Sequence, residues 1–396
     1  MKYSMAEAPV NKPTLLLISR NFPPLLGGME RLNQQMLNEL ARDYTTGLVG
    51  PQGARPAHTS PEHLWECPIA PGKFIFHAII KTLQAVRRLR PSIVLAGSGL
   101  TAPIAWLAAR ISGARCIVYL HGLDIEVKHR VYQWLWPPFL RHFDRVIVNS
   151  HFTQQLALAA GIPAERIVIV HPGVTLPDLR EAELQRRSFR QRYSLTETPV
   201  MLYVGRITVR KGLGVFAEHI LPNIIQQFPS AQLLVIGDNP SLALLQQNNE
   251  RQRVNEVLAT HHLTDRVNFL GWIDIDKKEL SAAYFAADVL IFPVQARPHD
   301  NEGFGMVAIE AAAHGLPTVA FAAGGVPDAV AEGVSGRLIP AGDNTAFGKA
   351  VIETLTEPVS SRRRTACREF AEAFSWDAFG KGIRQICRDI ETRKPW

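Results

Sequence analysis

Two glutamates eight positions apart enclose a glycine-rich stretch of a kind that binds anions. The residues are Glu302, Gly303, Phe304, Gly305 and Glu310, and they follow a short apolar run that predicts a strand. We expect a helix to begin at these glycines, where free N–H groups and the helix dipole favour a diphosphate. Both carboxylates would then face one side and accept hydrogen bonds from sugar hydroxyls. The alternative is that Glu302 only complements the helix dipole and Glu310 is a solvated helix residue.

Two cations lie at the end of a second predicted strand. Val204 is followed by Gly205 and Arg206, and Lys211 and Gly212 come shortly afterwards. Phosphates bind at the carboxyl edge of a parallel sheet, so we expect Arg206 and Lys211 to bind a pyrophosphate there. The alternative is a pair of surface cations beside a turn.

Further candidate residues follow two other predicted strands. Gly324 and Gly325 come after Thr318–Phe321 and predict another loop of small residues at the same sheet edge. His121 follows Cys116–Leu120. A lone histidine after a strand is either a site residue or a hydrogen-bonded loop residue, and the sequence around it leaves both open.

Two acidic residues in the second half of the chain could form either a metal site or the start of a helix. Asp274 and Asp276 resemble the paired aspartates that hold a divalent ion. We favour Asp276 as a helix N-cap that forms a capping box with Glu279. Because Arg206, Lys211 and a helix N-terminus supply positive potential, the sequence predicts neither a metal nor a cofactor.

Short apolar runs alternate with helix-length amphipathic stretches along the chain. This pattern predicts parallel sheets covered by helices, in the α/β class. We place one doubly wound, Rossmann-like domain at 1–175 and a second at 198–375. The charged segment 176–197 predicts a linker, and 376–396 a C-terminal helix. Two such domains would face a cleft, the usual ligand position in this class.

Composition excludes several classes of protein. The 396 residues are 46% hydrophobic and 20% charged, which is typical of globular proteins and not of disordered or fibrous chains. No apolar run reaches about 18 residues, and Met1–Pro13 carries charges in place of a signal core. We therefore expect a soluble, cytoplasmic protein.

The positive charge is concentrated in the N-terminal half. Residues 1–175 contain 18 Lys or Arg against 10 Asp or Glu, a net charge of +8, whereas 176–396 carry −1. Such an excess predicts an anionic partner, and cations mixed with aromatic residues in Lys73–Arg90 and Lys128–Phe143 favour an acidic membrane surface. The alternative is two ordinary helices that bury their apolar faces.

These motifs together resemble the retaining glycosyltransferases of the GT-B fold in glycosyltransferase family 4. The ordered set covers nearly the whole chain, and one departure is Asp328, where the family often has Glu. The matching residues, in chain order, are Gly27, Gly28, Glu30, His121, Gly122, Asn149, Ser150, Gly173, Gly205, Arg206, Lys211, Glu302 to Glu310, Gly324 and Gly325.

The resemblance implies specific roles for these residues. Arg206 and Lys211 would bind the donor diphosphate, Glu310 the ribose and Glu302 hydroxyls of the donor sugar. The remaining implied contacts are Gly28 against the diphosphate, His121 beside the donor sugar, and Gly205, Gly303, Phe304 and Gly305 around the nucleotide. The C-terminal helix would return to the N-terminal domain.

The implied function is transfer of a hexose, of the mannose or glucose type, from a nucleotide-diphosphate sugar with retention. The acceptor would be lipid-linked or an envelope glycan, taken at the membrane surface and without nucleic acid. A nucleotide-sugar epimerase, a phosphorylase and a non-catalytic nucleotide-sugar binder are the alternatives. A dinucleotide dehydrogenase is excluded, because no G-x-G-x-x-G follows the first strand Thr14–Ile18. The donor base, the linkage and the oligomeric state stay open.

Overall fold

The computed structural model describes residues 12–54, 61–126, 138–195, 197–239, 249–271, 277–357 and 360–392. The chain forms two compact units. The N-terminal unit contains the chain up to Asn149, then Gln154–Val170 and the segment from Phe379 onward. The C-terminal unit contains Ser150–Thr153 and His171–Ala378.

The N-terminal unit is built on a parallel seven-stranded sheet in the order β3-β2-β1-β4-β5-β6-β7. The strands are β1 (Thr14–Ile18), β2 (Thr45–Pro51), β3 (His63–Cys67), β4 (Ile93–Ala96), β5 (Arg115–Leu120), β6 (Arg145–Val148) and β7 (Ile167–Ile169). The helices between them are α1 (Gly28–Leu40), α2 (Pro71–Leu89), α3 (Ala102–Ser112), α4 (Leu123–Glu126) and α5 (His151–Ala159). The first three residues of α5 belong to the C-terminal unit. The central strand β1 is buried from Leu15 to Ile18 because helices cover both faces of the sheet.

The C-terminal unit repeats this architecture with six parallel strands in the order β10-β9-β8-β11-β12-β13. They are β8 (Val200–Val204), β9 (Gln232–Ile236), β10 (Val267–Gly271), β11 (Val289–Phe292), β12 (Thr318–Phe321) and β13 (Gly336–Ile339). The helices are α6 (Ala182–Arg192), α7 (Leu213–His219), α8 (Leu221–Gln227), α9 (Glu250–Thr260), α10 (Lys277–Ala286), α11 (Met306–Ala313), α12 (Val326–Ala329), α13 (Asn344–Thr356) and α14 (Ser361–Glu372).

Alternate residues of the central strand β8 pack in different hydrophobic cores. Met201 and Tyr203 pack in one buried cluster, and Val200 and Leu202 pack in the cluster on the opposite face. This is the period of two that a strand imposes when helices cover both sides. The predicted pair of doubly wound, Rossmann-like domains is confirmed.

The segment predicted as a linker, 176–197, contains a helix that belongs to the C-terminal unit. Arg186 and Arg190 of α6 approach the two carboxylate oxygens of Asp288 at 2.8 and 2.7 Å. Phe189 is buried in a core cluster of the same unit. The arginines that suggested an exposed linker therefore hold the helix in place, and the segment is not a separate connection.

The last described helix, α15 (Trp376–Thr392), returns to the N-terminal unit as expected. Its Arg384 forms a buried ion pair with Glu39 of α1, and Arg388 Nη2 lies 2.7 Å from Asp43 Oδ2. Gly380 allows close packing, because a Cβ there would overlap the Glu39 carboxylate. In the described ranges, no helix is both long enough and apolar enough to cross a membrane.

Candidate active site

A sharp turn after β8 carries the first candidate cation. Gly205 has a φ of +145°, and its carbonyl lies where a Cβ on Gly237 would collide with it. Both positions therefore need glycine. The next residue, Arg206, is exposed, and its carbonyl accepts a 3.0 Å hydrogen bond from the Tyr203 hydroxyl.

Lys211 lies at the end of the next turn and points into the protein. Gly212 follows it with a φ of +73°, and a Cβ there would overlap the carbonyl of Pro293, just beyond β11. This close approach brings Lys211 Nζ to 2.8 Å from Glu302 Oε2 and 5.0 Å from the centre of the Phe292 ring. Lys211 is only 9% exposed, so the surface-cation alternative does not describe it.

Arg210 is a third cation, which the sequence analysis did not single out. Its guanidinium forms an ion pair with Glu302, and its Nε lies 3.1 Å from Asp300 Oδ1. The available signals were its position next to Lys211 and the two acids in the polar loop before Gly303. Neither signal fixes which way the side chain points.

The charges of this cluster shift one another's pKa values. Burial alone would raise the pKa of Glu302, but attraction to Lys211 and Arg210 outweighs it and lowers the pKa to about 2. Burial lowers the pKa of Lys211, partly offset by Glu302, whereas the acids outweigh burial and raise the pKa of Arg210. Arg206 also lowers the pKa of Glu302, so it acts on the same carboxylate. Glu302 is therefore ionised at neutral pH.

The expected helix from Gly303 to Glu310 is corrected by the structure. α11 begins only at Met306, after Gly305 with a φ of +104°. Glu302 therefore lies in a loop, and the argument that places both carboxylates on one helical face is wrong. Glu310 lies on α11, and its Oε2 accepts a 2.9 Å hydrogen bond from the Tyr284 hydroxyl.

The loop after β12 packs directly on the Glu302 loop. Gly325 N donates to the Glu302 carbonyl at 2.7 Å. A Cβ on Gly324 would overlap the Glu302 backbone, and one on Gly325 would overlap the Gly303 carbonyl. The predicted loop of small residues therefore lies beside the Glu302 loop, and its two glycines allow the two loops to pack together.

Comparison with known protein families identifies the class of protein to which this chain belongs. A family model described as glycosyl transferases group 1 matches residues 198–357, and one described as Glycosyltransferase Family 4 matches 26–176. Together the two models span more than half of the chain. The chain belongs to glycosyltransferase family 4.

Two curated relatives illustrate the sequence similarity of this glycosyltransferase. The D-inositol 3-phosphate glycosyltransferase of Mycolicibacterium smegmatis is 35% identical over 259 residues, which are 64% of this chain and 55% of that protein. The GDP-mannose-dependent alpha-(1-6)-phosphatidylinositol monomannoside mannosyltransferase of the same species is 28% identical over 367 residues, 87% of this chain and 90% of the relative.

Solved structures show the same fold at lower identity. Sucrose-phosphate synthase from Thermosynechococcus elongatus has a TM-score of 0.76 and 23% identity, over 96% of this chain and 99% of that one. Anabaena Alr3699/HepE, solved with UDP and glucose, has a TM-score of 0.76 and 20% identity, over 96% and 100%. The glycosyltransferase has the predicted GT-B fold.

Two candidate residues of the glycosyltransferase lie in its N-terminal unit. Gly28 is exposed and begins α1. His121 is buried, and its Nε2 lies 3.0 Å from the Gly97 carbonyl oxygen. A carbonyl only accepts, so Nε2 carries a proton. His121 is thus a hydrogen-bonded loop residue, and its role at the donor sugar stays a prediction. Asp274 and Asp276 lie outside the described residues.

The imidazole next to Glu310 gives the C-terminal unit of the glycosyltransferase a pH dependence. Burial lowers the pKa of His314 to about 4, and its ring stacks on Tyr284 at 4.9 Å. The unfolded chain, with a pKa of about 6.5, therefore takes up this proton first as pH falls. The His314 contribution to stability is complete above about pH 6.5 and is lost progressively down to about pH 4.

We therefore predict that His314→Gln reduces the fall in melting temperature between pH 7 and pH 4.5. The matched control is His219→Gln, because His219 is half exposed and lies in the same unit. Differential scanning calorimetry over this pH range measures both variants against the wild type. An equal fall in all three proteins would show that His314 is not the titrating group.

Proposed function

We propose that this glycosyltransferase moves a hexose, of the mannose or glucose type, from a nucleotide-diphosphate sugar to an acceptor hydroxyl with retention. The observation that carries the proposal is the cluster of buried Lys211 and Arg210 with the partly buried Glu302, beside the exposed Arg206. Three cations against the two acids Asp300 and Glu302 leave a net positive charge at a sheet edge that suits a diphosphate. The relative named as GDP-mannose-dependent supports mannose as the first donor sugar to test.

The cations would stabilise the leaving group. As the glycosidic bond to the diphosphate breaks, negative charge grows on the phosphate oxygens, and Arg206 and Lys211 would attract it. Such stabilisation is strong at Lys211, because Glu302 holds its side chain in place before the reaction and water is partly excluded around it. The first N–H groups of α11 would add to the positive potential.

The state of Glu302 supports a front-face route to retention. A carboxylate paired with both Lys211 and Arg210 is a weak nucleophile, and a pKa of about 2 prevents it from acting as a general acid at neutral pH. In the proposed route the acceptor oxygen attacks from the side that the diphosphate leaves. A departing phosphate oxygen takes the proton of the acceptor hydroxyl, and Glu302 accepts hydrogen bonds from sugar hydroxyls.

We predict that Lys211→Ala and Arg206→Ala each lower kcat by about two orders of magnitude or more, because each removes a charge aimed at the leaving diphosphate. Thermal shift against GDP, UDP, ADP and their sugar conjugates first identifies the donor. Transfer is then measured at saturating donor. Lys349→Ala is the control, since this cation of the same unit is exposed. Near-wild-type turnover of either site variant would overturn the assignment.

We also propose that transfer requires no metal, since the cationic cluster takes the role of an ion at the diphosphate. Activity should therefore persist in excess EDTA. The measurement compares initial rates with and without the chelator, and then after addition of magnesium or manganese. Loss of activity in EDTA with rescue by either ion would contradict the proposal and make Asp274 and Asp276 the residues to test.

The acceptor is proposed to be lipid-linked or an envelope glycan, taken at an anionic membrane surface. Helix α2 supports this proposal, because its outer side carries exposed Phe76, Ile79 and Ile80. The same helix buries Phe74 and other residues against the unit, so the alternative of a packed helix holds for one face only. Exposed cations on or next to α2 are Lys73, Arg87, Arg88 and Arg90. Lys128 and Arg130 lie outside the described residues.

We predict salt-sensitive binding to vesicles rich in anionic lipid and none to neutral vesicles, since each basic residue near such a surface adds about 1 kcal/mol. Co-sedimentation measures it. Reversing Arg87, Arg88 and Arg90 to Glu should weaken binding. The charge-matched control reverses three exposed cations of the C-terminal unit, Arg180, Arg187 and Lys349.

Equal binding by both triple variants would show that net charge alone attracts the protein to the membrane. A protein that stays in the supernatant with anionic vesicles at low salt would contradict the membrane proposal. A soluble phosphorylated acceptor would then be favoured, and the proposed transfer reaction would be unaffected.

A further inference from the structure

Three side chains that could bind a metal lie together in the C-terminal unit, outside the cluster around Glu302. His151 Nδ1 is 3.1 Å from both carboxylate oxygens of Asp328, and His171 Nδ1 is 4.0 Å from Asp328 Oδ2. The three ligand atoms all lie within 4.8 Å of one another. All three residues belong to the same compact unit.

Two of the three side chains are held in place by the loops of the active site. The His171 ring stacks on Phe304 with 5.4 Å between ring centres and an angle of 24°. Phe374 contacts the same ring at 5.5 Å. Asp328 lies on α12, three residues after Gly325, and its Oδ2 accepts the backbone N–H of His151 at 2.6 Å. His151 itself has a side chain that is 67% exposed.

The ligand set is selective for one class of ion. Two imidazole nitrogens and one carboxylate suit zinc and related transition metals, whereas magnesium and calcium prefer oxygen ligands. At zinc–ligand distances of about 2.1 Å, tetrahedral ligand atoms lie about 3.4 Å apart. The 3.1 Å between His151 Nδ1 and Asp328 is already close to this value, and the 4.0 Å between His171 Nδ1 and Asp328 Oδ2 would have to shorten by about 0.6 Å.

We propose that His151, His171 and Asp328 form a binding site for a divalent transition-metal ion of the zinc type. The protein would contribute three ligands, and water would complete the coordination, as in three-ligand zinc sites. This site goes beyond the proposed transfer reaction, which uses no metal, and it is separate from the cations proposed to bind the diphosphate.

A simpler explanation covers part of the geometry. Asp328 accepts the N–H of the first residue of α5, so it could serve only to satisfy a helix terminus. That role does not account for the His171 imidazole, which is directed at the same carboxylate and is enclosed by two phenylalanine rings. Asp328→Asn separates the two explanations, because Asn keeps an oxygen acceptor for the N–H and loses the charge that binds a cation.

The experiment titrates the full-length, tag-free protein with Zn²⁺ by isothermal calorimetry at pH 7.5, after removal of metal with a chelator. We expect one ion per chain, and an affinity that His151→Gln, His171→Gln and Asp328→Asn each lower at least about tenfold. His219→Gln is the matched control and should bind as the wild type does. His219 also lies near a carboxylate, 3.9 Å from Glu218 Oε2, but is not part of the three-ligand group.

Co²⁺ gives a second readout that a purely structural role would not produce. The wild type should show the visible absorption of a low-symmetry cobalt site, and the three variants should lose it. The exposed His151 variant should keep its fold, so its result is interpretable if another variant is unstable.

Absence of stoichiometric Zn²⁺ binding in the wild type, or binding that none of the three substitutions weakens, would overturn the proposal. The titration contains neither donor nor acceptor. Its outcome is therefore independent of whether the chain transfers a sugar, and loss of transfer in Lys211→Ala would leave the metal result standing.

Discussion

The salt bridges from Glu302 to Lys211 and Arg210 are the interaction on which the proposed donor site depends. Removing a charge from water costs several kcal/mol unless a partner compensates it, so these three side chains are stable inside the protein only together. The cations come from the segment after β8 and the carboxylate from the loop after β11. The pairing therefore fixes two loops relative to each other. Asp300 extends the cluster, and Arg206 leaves it with positive charge in excess.

The parallel sheet makes this pairing possible. Strands β8, β11 and β12 are neighbours in the sheet, and parallel strands present their carboxyl ends at one edge. Three loops that are far apart in sequence therefore meet there. They pack closely because Gly212, Gly324 and Gly325 have no Cβ to collide with the carbonyls and backbone opposite. A larger residue at any of these positions would collide with the backbone opposite and push the loops apart, although it would not touch a charged group directly.

Strand periodicity, glycine spacing and charge were enough to predict the two Rossmann-like domains and to place Lys211 and Glu302 each after a strand of the second domain. Side-chain direction could not be predicted in the same way. Arg210 is buried against Asp300 and Glu302, tertiary contacts that a run of two cations does not reveal. The sequence predicts that α11 begins at Gly303, whereas it begins at Met306, because Gly305 has a positive φ that a helix does not allow. The segment 176–197 has the charged composition of a linker, and its sequence does not reveal that the partner of its arginines, Asp288, lies about a hundred residues later.

The proposed metal site and the proposed donor site share structural elements, so they cannot be energetically independent if either moves a loop. His171 stacks on Phe304, which lies between Gly303 and Gly305, and Asp328 follows Gly325, whose N–H is bonded to the Glu302 carbonyl. An ion that draws His171 and Asp328 together acts on both of these loops. Thermodynamic linkage requires that any factor by which the ion changes donor affinity equals the factor by which the donor changes ion affinity. If the loops are already rigid, that factor is one, because a ligand shifts an equilibrium only by its difference in affinity for two states. The size of the coupling would therefore measure how far the Glu302 salt bridges leave these loops free to move.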